Sequence, residues 1–399
     1  MPPSPLPLPC LRLVEAPMVN QSDLAFRLLA VENGATSTWT QMYHTDAILN
    51  DRDALETLLK SLEVGRTASE NLCKLSPAPL LIPRKVGGEE SEEGNGPMRS
   101  SAASFCPQIV QLAGNDPESL VKAARKVEHL ADGIDLNLGC PQNHAKMGHY
   151  GAYLLPKPDW PLVETLVSSL SRSVQLPIST KIRLTPTHAD QTSILAKRLS
   201  LAGSDCVILH ARFASTSRRR NGPADLGQVK RVVQTLRDEG LLRTEENDGD
   251  GVRRTAVITN GNVRGWSDVV KNLEYTGANG VMVGEPLLED PSLFHPSLGK
   301  LSSPPSKAEL SRRYLELCER YPGTGSDLFV ARQHVRNMLC PRSFSFVQES
   351  EGKAAEARSR ADLYQRRSVV EARVKSAQSV EDLREAIRLF EGQEEKVVM

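Results

Sequence analysis

The sequence predicts an α/β fold in which a (β/α)8 barrel is followed by a small all-helical C-terminal domain. Short apolar runs rich in β-branched residues recur eight times over about 290 residues, and segments with helical periodicity lie between them. Strand patterns stop near residue 300, and the 399 residues exceed what a single core usually organises. These observations favour one large barrel with a helical appendage.

Each strand candidate ends in a polar or glycine cluster, as expected where a buried strand meets a loop. The eight candidates are Leu11–Ala16, Ala35–Gln41, Gln108–Ala113, Gly133–Asn137, Ile178–Arg183, Cys206–His210, Thr255–Asn260 and Gly280–Gly284. The helical patterns between them are Ser22–Glu32, Pro117–His129, Trp160–Ser171, Asp190–Ala202 and Gly265–Tyr275. This alternation is typical of a TIM barrel. A doubly wound sheet, the alternative, normally has a glycine-rich turn after its first strand, and Ala16-Pro17-Met18-Val19 has no glycine.

Composition divides the rest of the chain. Residues 1–10 are proline-rich, which predicts a disordered leader, and the barrel is expected at 11–300. Within the barrel, residues 76–107 and 241–254 have no hydrophobic period, which predicts two flexible insertions. Residues 301–399 predict the helical domain and a charged tail. Its helices are expected at Ala308–Tyr321, Asp327–Leu339 and Ala354–Val374.

Charge and cysteine usage exclude several classes of protein. Lys+Arg and Asp+Glu both number 49, so net charge favours no kind of partner. A run of about 18 apolar residues is missing and the start lacks a secretory signal, so we expect no membrane association. The seven cysteines have no metal-ligand spacing, which predicts neither a metal site nor disulfides. We expect a soluble intracellular monomer in the cytoplasm, the nucleus or both.

In a barrel the functional residues come from the carboxyl ends of the strands. Those ends carry few carboxylates, which argues against glycosidase chemistry, and many amide and cationic donors, which suit an anionic heteroaromatic ligand such as a phosphorylated flavin. Glycines at 261 and 284 fit the phosphate site that these barrels often have after the last two strands. Each residue also has a structural explanation: Lys181 could be solvated, and Cys140 could be a small buried hydrophobe.

Several motifs together resemble the tRNA-dihydrouridine synthases, and most closely the eukaryotic branch that modifies neighbouring uridines in the D-loop. The motifs are APMVNQSDLAFR (16–27), QLAGNDP (111–117), DLNLGCPQNHAKMGHYGAYLL (135–155), TKIRL (180–184), LHAR (209–212), ITNGNV (258–263) and GANGVMVGE (277–285). The DLNLGCPQ block is highly specific, whereas the Asn-Gly and His-x-Arg pieces alone would be weak. Residues 312–322 and 331–339 resemble the family's helical tRNA-binding domain.

The resemblance implies FMN as cofactor, NADPH as reductant and the D-loop of tRNA as substrate. The residues that it implies for FMN are Ala16, Pro17, Met18, Gln111, Lys181, His210, Asn260, Gly261, Asn262 and Gly284. Those that it implies for the substrate are Asn137, Lys146, Arg183 and Arg212. The sequence departs from the family at Ala211, Asn262 and Glu285, and an acid at 285 would repel a phosphate unless its side chain turns away.

The resemblance also implies the chemistry. Reduction of the uracil C5=C6 bond would use a hydride at C6 and a proton from Cys140 at C5; an ordinary thiol pKa of about 8.5 keeps that proton on sulfur at neutral pH. Extrusion of the base would be offset by phosphate contacts from the helical domain and from Arg218–Arg220. Two alternatives stay open: a flavin reductase of a free pyrimidine or other small molecule, and an inactive barrel that binds RNA.

Overall fold

The computed structural model describes residues 4–75, 105–186, 188–214, 222–295, 304–341 and 367–398. In these residues eight parallel strands form the sheet: β1 Leu13–Glu15, β2 Ser37–Trp39, β4 Gln108–Ala113, β5 Gly133–Leu138, β6 Ile178–Arg183, β7 Cys206–His210, β8 Ala256–Asn260 and β9 Gly280–Val283. The sheet closes into a ring, since β1 pairs with β2 and β9, and β2 pairs with β4. The two-residue β3, Tyr43–His44, continues the course of β2 beside β4. The predicted (β/α)8 barrel is confirmed.

Helices surround the strand ring. They are α1 Leu24–Glu32, α2 Thr45–Asn50, α3 Arg52–Leu75, α4 Pro117–Val127, α5 Asn143–Met147, α6 Trp160–Ser173, α7 Gln191–Ala202, α8 Leu226–Asp238, α9 Trp266–Thr276 and α10 Glu285–Glu289. Short 3-10 helices lie at Leu8–Leu11, Gly151–Leu154, Lys157–Asp159 and Pro291–Phe294. Local sequence explains several boundaries: the Asp116 carboxylate caps α4 by accepting from the backbone N–H of Ser119, and Gly203 ends α7 with φ +108°.

Helices α2, α3, α5, α8 and α10 were not predicted from the sequence. Helix α8 has a signal that could have been found, because Val229, Val232, Val233 and Leu236 are all buried at helical spacing. Helix α5 and helix α10 have five residues each, too few to show a period.

Two segments expected to be flexible have ordered contacts. In the expected leader, Leu8 and Cys10 lie buried within a 3-10 helix, so these residues pack against the barrel instead of extending from it. In the loop 241–254, Arg253 forms a double hydrogen bond with Asp205, at 2.9 Å from each carboxylate oxygen. Most of the other predicted insertion, residues 76–104, lies outside the described residues.

After the barrel the described chain is helical, as predicted. The helices are α11 Lys307–Arg320, α12 Leu328–Leu339, a segment at 367–376 (α13) and α14 Val380–Val398. Helix α14 lies where only a charged tail was expected, and it was not predicted as a helix. Of the predicted helix Ala354–Val374, residues 354–366 lie outside the described residues. The apolar faces of α11 and α12 join Leu24, Phe26 and Leu28 of α1 in one hydrophobic cluster, so the helices pack directly on the barrel.

A buried polar cluster joins α1 to the C-terminal helices. We call it the junction cluster and define it as Asp23, Tyr314, Ser326 and His334. Asp23 accepts hydrogen bonds from His334 Nε2 at 2.8 Å, Tyr314 Oη at 3.2 Å and Ser326 Oγ at 2.5 Å. The His334 ring stacks on Phe26 with centroids 4.6 Å apart, so this contact combines hydrogen bonding with aromatic packing.

Candidate functional site

The strand register brings the predicted site residues to one end of the barrel. Neighbouring residues in the ladder are Gln111 and Asp135, Asn137 and Lys181, Arg183 and His210, and His210 and Asn260. Because all strands run parallel, their carboxyl ends meet at one rim. Ala16 follows β1 and its backbone N–H binds the carbonyl of Val283 at 2.9 Å, which brings the first loop beside the end of β9.

Cys140 lies just after β5 and is held through its backbone. Its N–H donates to Asn137 Oδ1 at 2.9 Å, and its carbonyl accepts from Ala152 N–H at 3.1 Å. Gly151, at φ +64°, packs so closely that a Cβ there would lie 2.9 Å from the Cys140 carbonyl oxygen. These contacts fix where the Cys140 side chain begins.

The Cys140 thiol is half-buried and protonated at neutral pH. Burial raises its pKa, while the Gln142 N–H and the charges of Arg183 and Lys181 lower it only in part. The nearest side-chain partner is His144, whose Nε2 is 3.9 Å from Sγ. A protonated thiol at the rim can donate a proton to a bound substrate.

Four cationic or basic side chains lie around this rim: Lys181, Arg183, His210 and Arg212. Burial and the neighbouring Arg183 lower the pKa of Lys181 to about 8. Burial, with the charges of Lys181, Arg183 and Arg212, holds the pKa of His210 well below its usual value, so its imidazole is neutral. The rim therefore has an excess of positive charge that suits an electron-rich or anionic ligand.

A chain of carboxamides runs behind Cys140. Asn137 Nδ2 donates to Gln111 Oε1 at 2.8 Å, and Gln111 Nε2 donates to Asp135 Oδ2 at 2.7 Å. Asp135 is fully buried, and burial raises its pKa to about 6 although Ser179, Gln111 and Lys181 lower it. Sequence reasoning did not single out Asp135; an acidic residue inside the apolar strand Gly133–Leu138 was the available signal.

A shallow cradle lies between the first loop and the end of β9. A Cβ on Gly284 would stand 3.4 Å from Ala16 Cβ and 3.4 Å from Met18 Sδ, so glycine leaves this surface open. Pro17 lies half-buried between Ala16 and Met18. The flat apolar surface and the adjacent amide and cationic donors fit an aromatic ring with a phosphate tail, as in a flavin nucleotide.

The loop after β8 is held by Asn262, one of the three positions at which the sequence is expected to depart from the family that it resembles. Its Nδ2 donates to the Ala224 carbonyl and its Oδ1 accepts from the Ala224 N–H, both at 2.7 Å, and Arg212 also contacts Oδ1 at 3.3 Å. An aspartate could not donate to that carbonyl, so asparagine suits this loop. Gly261 has φ +121°, and a Cβ there would lie 2.7 Å from Ala224 Cβ.

The other predicted residues divide into those at the rim and those away from it. Asn260 is buried and donates to the Met282 carbonyl at 2.7 Å. Ala211 is buried behind His210, where its small side chain faces the core. Lys146 lies exposed on α5, and within the described residues no hydrogen bond or ion pair connects its side chain to the strand ends. Arg218–Arg220 lie outside the described residues.

Among the described residues there is neither a candidate metal site nor a candidate membrane span. These residues contain no group of three or more His, Cys, Asp or Glu side chains that could hold a metal ion. They also contain no helix long and apolar enough to cross a bilayer.

Comparison with known sequences identifies relatives over most of the chain. The family model described as Dihydrouridine synthase (Dus) matches residues 88–371. A mouse protein named tRNA-dihydrouridine(16/17) synthase [NAD(P)(+)]-like is 30% identical over 312 residues, 78% of this chain and 52% of the relative. Proteins named tRNA-dihydrouridine(16/17) synthase [NAD(P)(+)] from Schizosaccharomyces pombe and Saccharomyces cerevisiae are 28% and 27% identical, over 77% and 82% of this chain and 61% and 65% of the relatives. The chain thus spans between half and two thirds of these relatives' length.

Proposed function

The chain belongs to the dihydrouridine synthase family, and from this premise we propose that it reduces the C5=C6 bond of uridines in the D-loop of tRNA, with FMN as flavin and NADPH as reductant. The observation that carries this proposal is the position of Cys140. A protonated thiol stands at the end of β5, within a rim of amide and cationic donors. A tRNA substrate would require the protein to act inside the cell.

FMN, when bound, would supply the hydride for C6 of uracil. Ala16, Pro17, Met18 and Gly284 would form the surface against its ring, and Lys181 would place a positive charge beside the ring edge. Gln111, His210, Asn260, Gly261 and Asn262 would provide the remaining contacts. For Asn262 the side chain already holds Ala224, which leaves its backbone for the ligand.

Cys140 would protonate C5. Burial keeps its thiol protonated at neutral pH, and the backbone contacts with Asn137 and Ala152 fix the start of the side chain. Arg183 would hold the substrate from the same rim; its Nε donates to the Gly139 carbonyl at 2.9 Å, beside Cys140. Arg212 would act next to it.

The C-terminal helices would bind the tRNA backbone, although many of their described arginines are already paired. Arg336 binds Glu371 at 2.8 Å, Arg313 binds Glu32 at 2.6 Å and Arg384 binds Glu319 at 2.7 Å. The positive charge that these helices can offer to phosphate groups is therefore lower than their number of arginines suggests. Strong salt dependence of tRNA binding would show that phosphate contacts nevertheless contribute.

The test is reduction of a tRNA transcript by flavin-loaded protein with NADPH, followed by mapping of dihydrouridine. Cys140→Ala should retain flavin and NADPH oxidation but lose uracil reduction by about 10² to 10⁴ in rate, because only the proton donor is removed. Cys340→Ala, which removes a buried thiol in the helical region, is the matched control and should keep wild-type activity.

Three results would contradict the proposal. Unchanged reduction of tRNA by Cys140→Ala would remove the assignment of the proton donor. Reduction of free uridine or uracil with no reduction of tRNA would favour a small-molecule reductase instead. Protein that neither retains flavin nor reduces either substrate, but binds tRNA, would support an inactive RNA-binding barrel.

A further inference from the structure

Asp135 is a buried carboxylate that the reaction above does not use. It lies in β5, two residues before Asn137, and has no exposed surface. Its Oδ1 accepts a hydrogen bond from Ser179 Oγ at 2.6 Å, and its Oδ2 accepts from Gln111 Nε2 at 2.7 Å. Removing a carboxylate from water is unfavourable unless partners in the protein compensate for it, so the presence of Asp135 inside β5 calls for a specific explanation.

The hydrogen bonds that connect Cys140 to Asp135 through Asn137 and Gln111 can have only one arrangement of donors and acceptors. The backbone N–H groups of Gly139 and Cys140 can only donate, so Asn137 must direct its Oδ1 toward them, at 3.0 and 2.9 Å. Asn137 Nδ2 then faces Gln111 Oε1, which leaves Gln111 Nε2 as a donor that needs an acceptor. A carboxylate, which only accepts, fits that end of the chain.

We propose that Asp135 is a positioning residue. It accepts the last of a series of hydrogen bonds that begins at the Cys140 N–H, passes through the Asn137 and Gln111 carboxamides and ends at Asp135 Oδ2. By accepting this bond, Asp135 fixes both carboxamides and the backbone of Cys140. Without the final acceptor, Gln111 Nε2 becomes a buried donor with no partner, which is energetically unfavourable. The side chain would then leave this arrangement, and Asn137 would lose the partner that orients it.

The surroundings of Asp135 support an acceptor at neutral pH. Lys181, two residues beyond Ser179 on β6, is positively charged and lowers the pKa of Asp135, as do the hydrogen bonds from Ser179 and Gln111. Burial raises that pKa to about 6, so the group is mostly ionised at pH 7. The role in catalysis rests on the proposed function, whereas the role in holding Cys140 does not.

The first experiment compares Asp135→Leu with Asp135→Asn in the full-length protein. Leucine cannot accept a hydrogen bond, so kcat for tRNA reduction should fall about 10- to 100-fold with KM little changed, as expected for a misplaced reacting group. Asparagine can accept from Gln111 through Oδ1 while its Nδ2 donates to Ser179 Oγ, so most of the activity should be retained. Asp205→Asn is the matched control, because it alters another buried aspartate, paired with Arg253 beside the amino end of β7.

A second readout needs no activity. The rate of Cys140 alkylation in flavin-free protein is measured by mass spectrometry of the peptide. It should be higher in Asp135→Leu than in wild type and in Asp205→Asn, because leucine no longer fixes the hydrogen bonds that hold the Cys140 backbone. Asp135→Asn should alkylate at close to the wild-type rate. If the wild type reduces no tRNA while alkylation follows this pattern, the proposed function fails and the positioning role stands.

A third variant pair keeps the proposal testable if Asp135→Leu does not fold. Gln111→Glu places a carboxylate against Asp135 and should speed alkylation of Cys140. Adding Asp135→Asn should reverse this effect, because the carboxamide that it introduces can donate through its nitrogen to the new carboxylate and accept from Ser179 through its oxygen. The proposal is overturned if Asp135→Leu folds with wild-type kcat and alkylation, if Asp135→Asn loses as much as a folded Asp135→Leu, or if the double variant shows no reversal.

Discussion

Two buried polar regions of this protein use charge in opposite ways. In the junction cluster both oxygens of Asp23 receive hydrogen bonds, from His334, Tyr314 and Ser326. Burial alone would raise the pKa of Asp23, but His334 and the hydroxyl donors overcome it and lower the pKa. Both carboxylate oxygens of Asp23 are therefore satisfied within the cluster, as a structural contact requires.

At the barrel rim, burial outweighs the partners of each ionisable group and favours its uncharged form. The pKa of Lys181 is lowered to about 8, that of Asp135 is raised to about 6, and that of His210 falls well below its usual value. Such shifts are typical of sites that bind a ligand. The junction therefore stabilises the fold, whereas Lys181 and Asp135 carry their charges at the rim at a cost in stability, as the proposed binding site would require.

The largest expected effect is at the junction. Asp23→Ala should lower the free energy of unfolding by about 3 to 5 kcal/mol, because it leaves the buried donors of His334, Tyr314 and Ser326 without an acceptor, at a cost of about 1 to 3 kcal/mol each. Asp23→Asn, the matched control, retains an acceptor and should cost less. Urea unfolding at pH 7 measures both, and a loss below about 1 kcal/mol for Asp23→Ala would break the comparison. Since the folded pKa is lowered, the contribution of Asp23 is present above its unfolded pKa and disappears as the pH falls through the folded pKa.

A buried acid next to the rim should show the opposite pH dependence. Burial raises the pKa of Glu15, at the end of β1, to about 8, although Ser22, Arg27 and the Trp39 N–H lower it. Because this folded pKa exceeds the unfolded one, stability is greatest at low pH, and about 3 kcal/mol should be lost between pH 4.5 and 7. Glu15→Gln should remove this dependence in unfolding curves. An equally steep curve for the variant would mean that another group titrates.

A smaller effect is expected for the rim lysine. The folded pKa of Lys181, about 8, lies below its unfolded value, so carrying the charge at pH 7 costs stability. Lys181→Met should stabilise flavin-free protein by about 2 to 3 kcal/mol at pH 7, since the lowered pKa of Lys181 already includes its attraction to Asp135. The wild type should gain stability between pH 8 and 10.5, and the variant should not. Flavin retention should fall at the same time; a variant that is both less stable and flavin-loaded would assign Lys181 to the structure instead.

Much of the fold could be predicted from the sequence because parallel strands are buried on both faces. The apolar runs therefore stand out, and Gln108–Ala113, Ile178–Arg183 and Cys206–His210 were predicted with the observed bounds. Helix α3 was missed although it has 24 residues, because its face carries many charged and polar positions between the leucines. The short α5 gave no periodic signal at all.

The candidate site divides in the same way. Cys140, Lys181 and His210 could be placed at one rim because each follows from a strand end, and every parallel strand ends on the same side. Asp135 and Glu15 could not be assigned a role, since a single acid in an apolar strand does not reveal its partners. The junction cluster could not be predicted either, because Tyr314, Ser326 and His334 lie 291 to 311 positions after Asp23 in the sequence.

The sequence by itself determined the barrel, the helical C-terminal region, the family and the strand-end residues, because these depend on local patterns and on motifs that stay together along the chain. The tertiary structure decided the directions of the hydrogen bonds behind Cys140, the pairing of the C-terminal arginines, the role of Asn262 in its loop and the contact of Asp23 with His334. Each of these depends on which polar groups meet after folding. In a buried environment the polar neighbours of a group determine both its pKa and how much its hydrogen bonds contribute to stability.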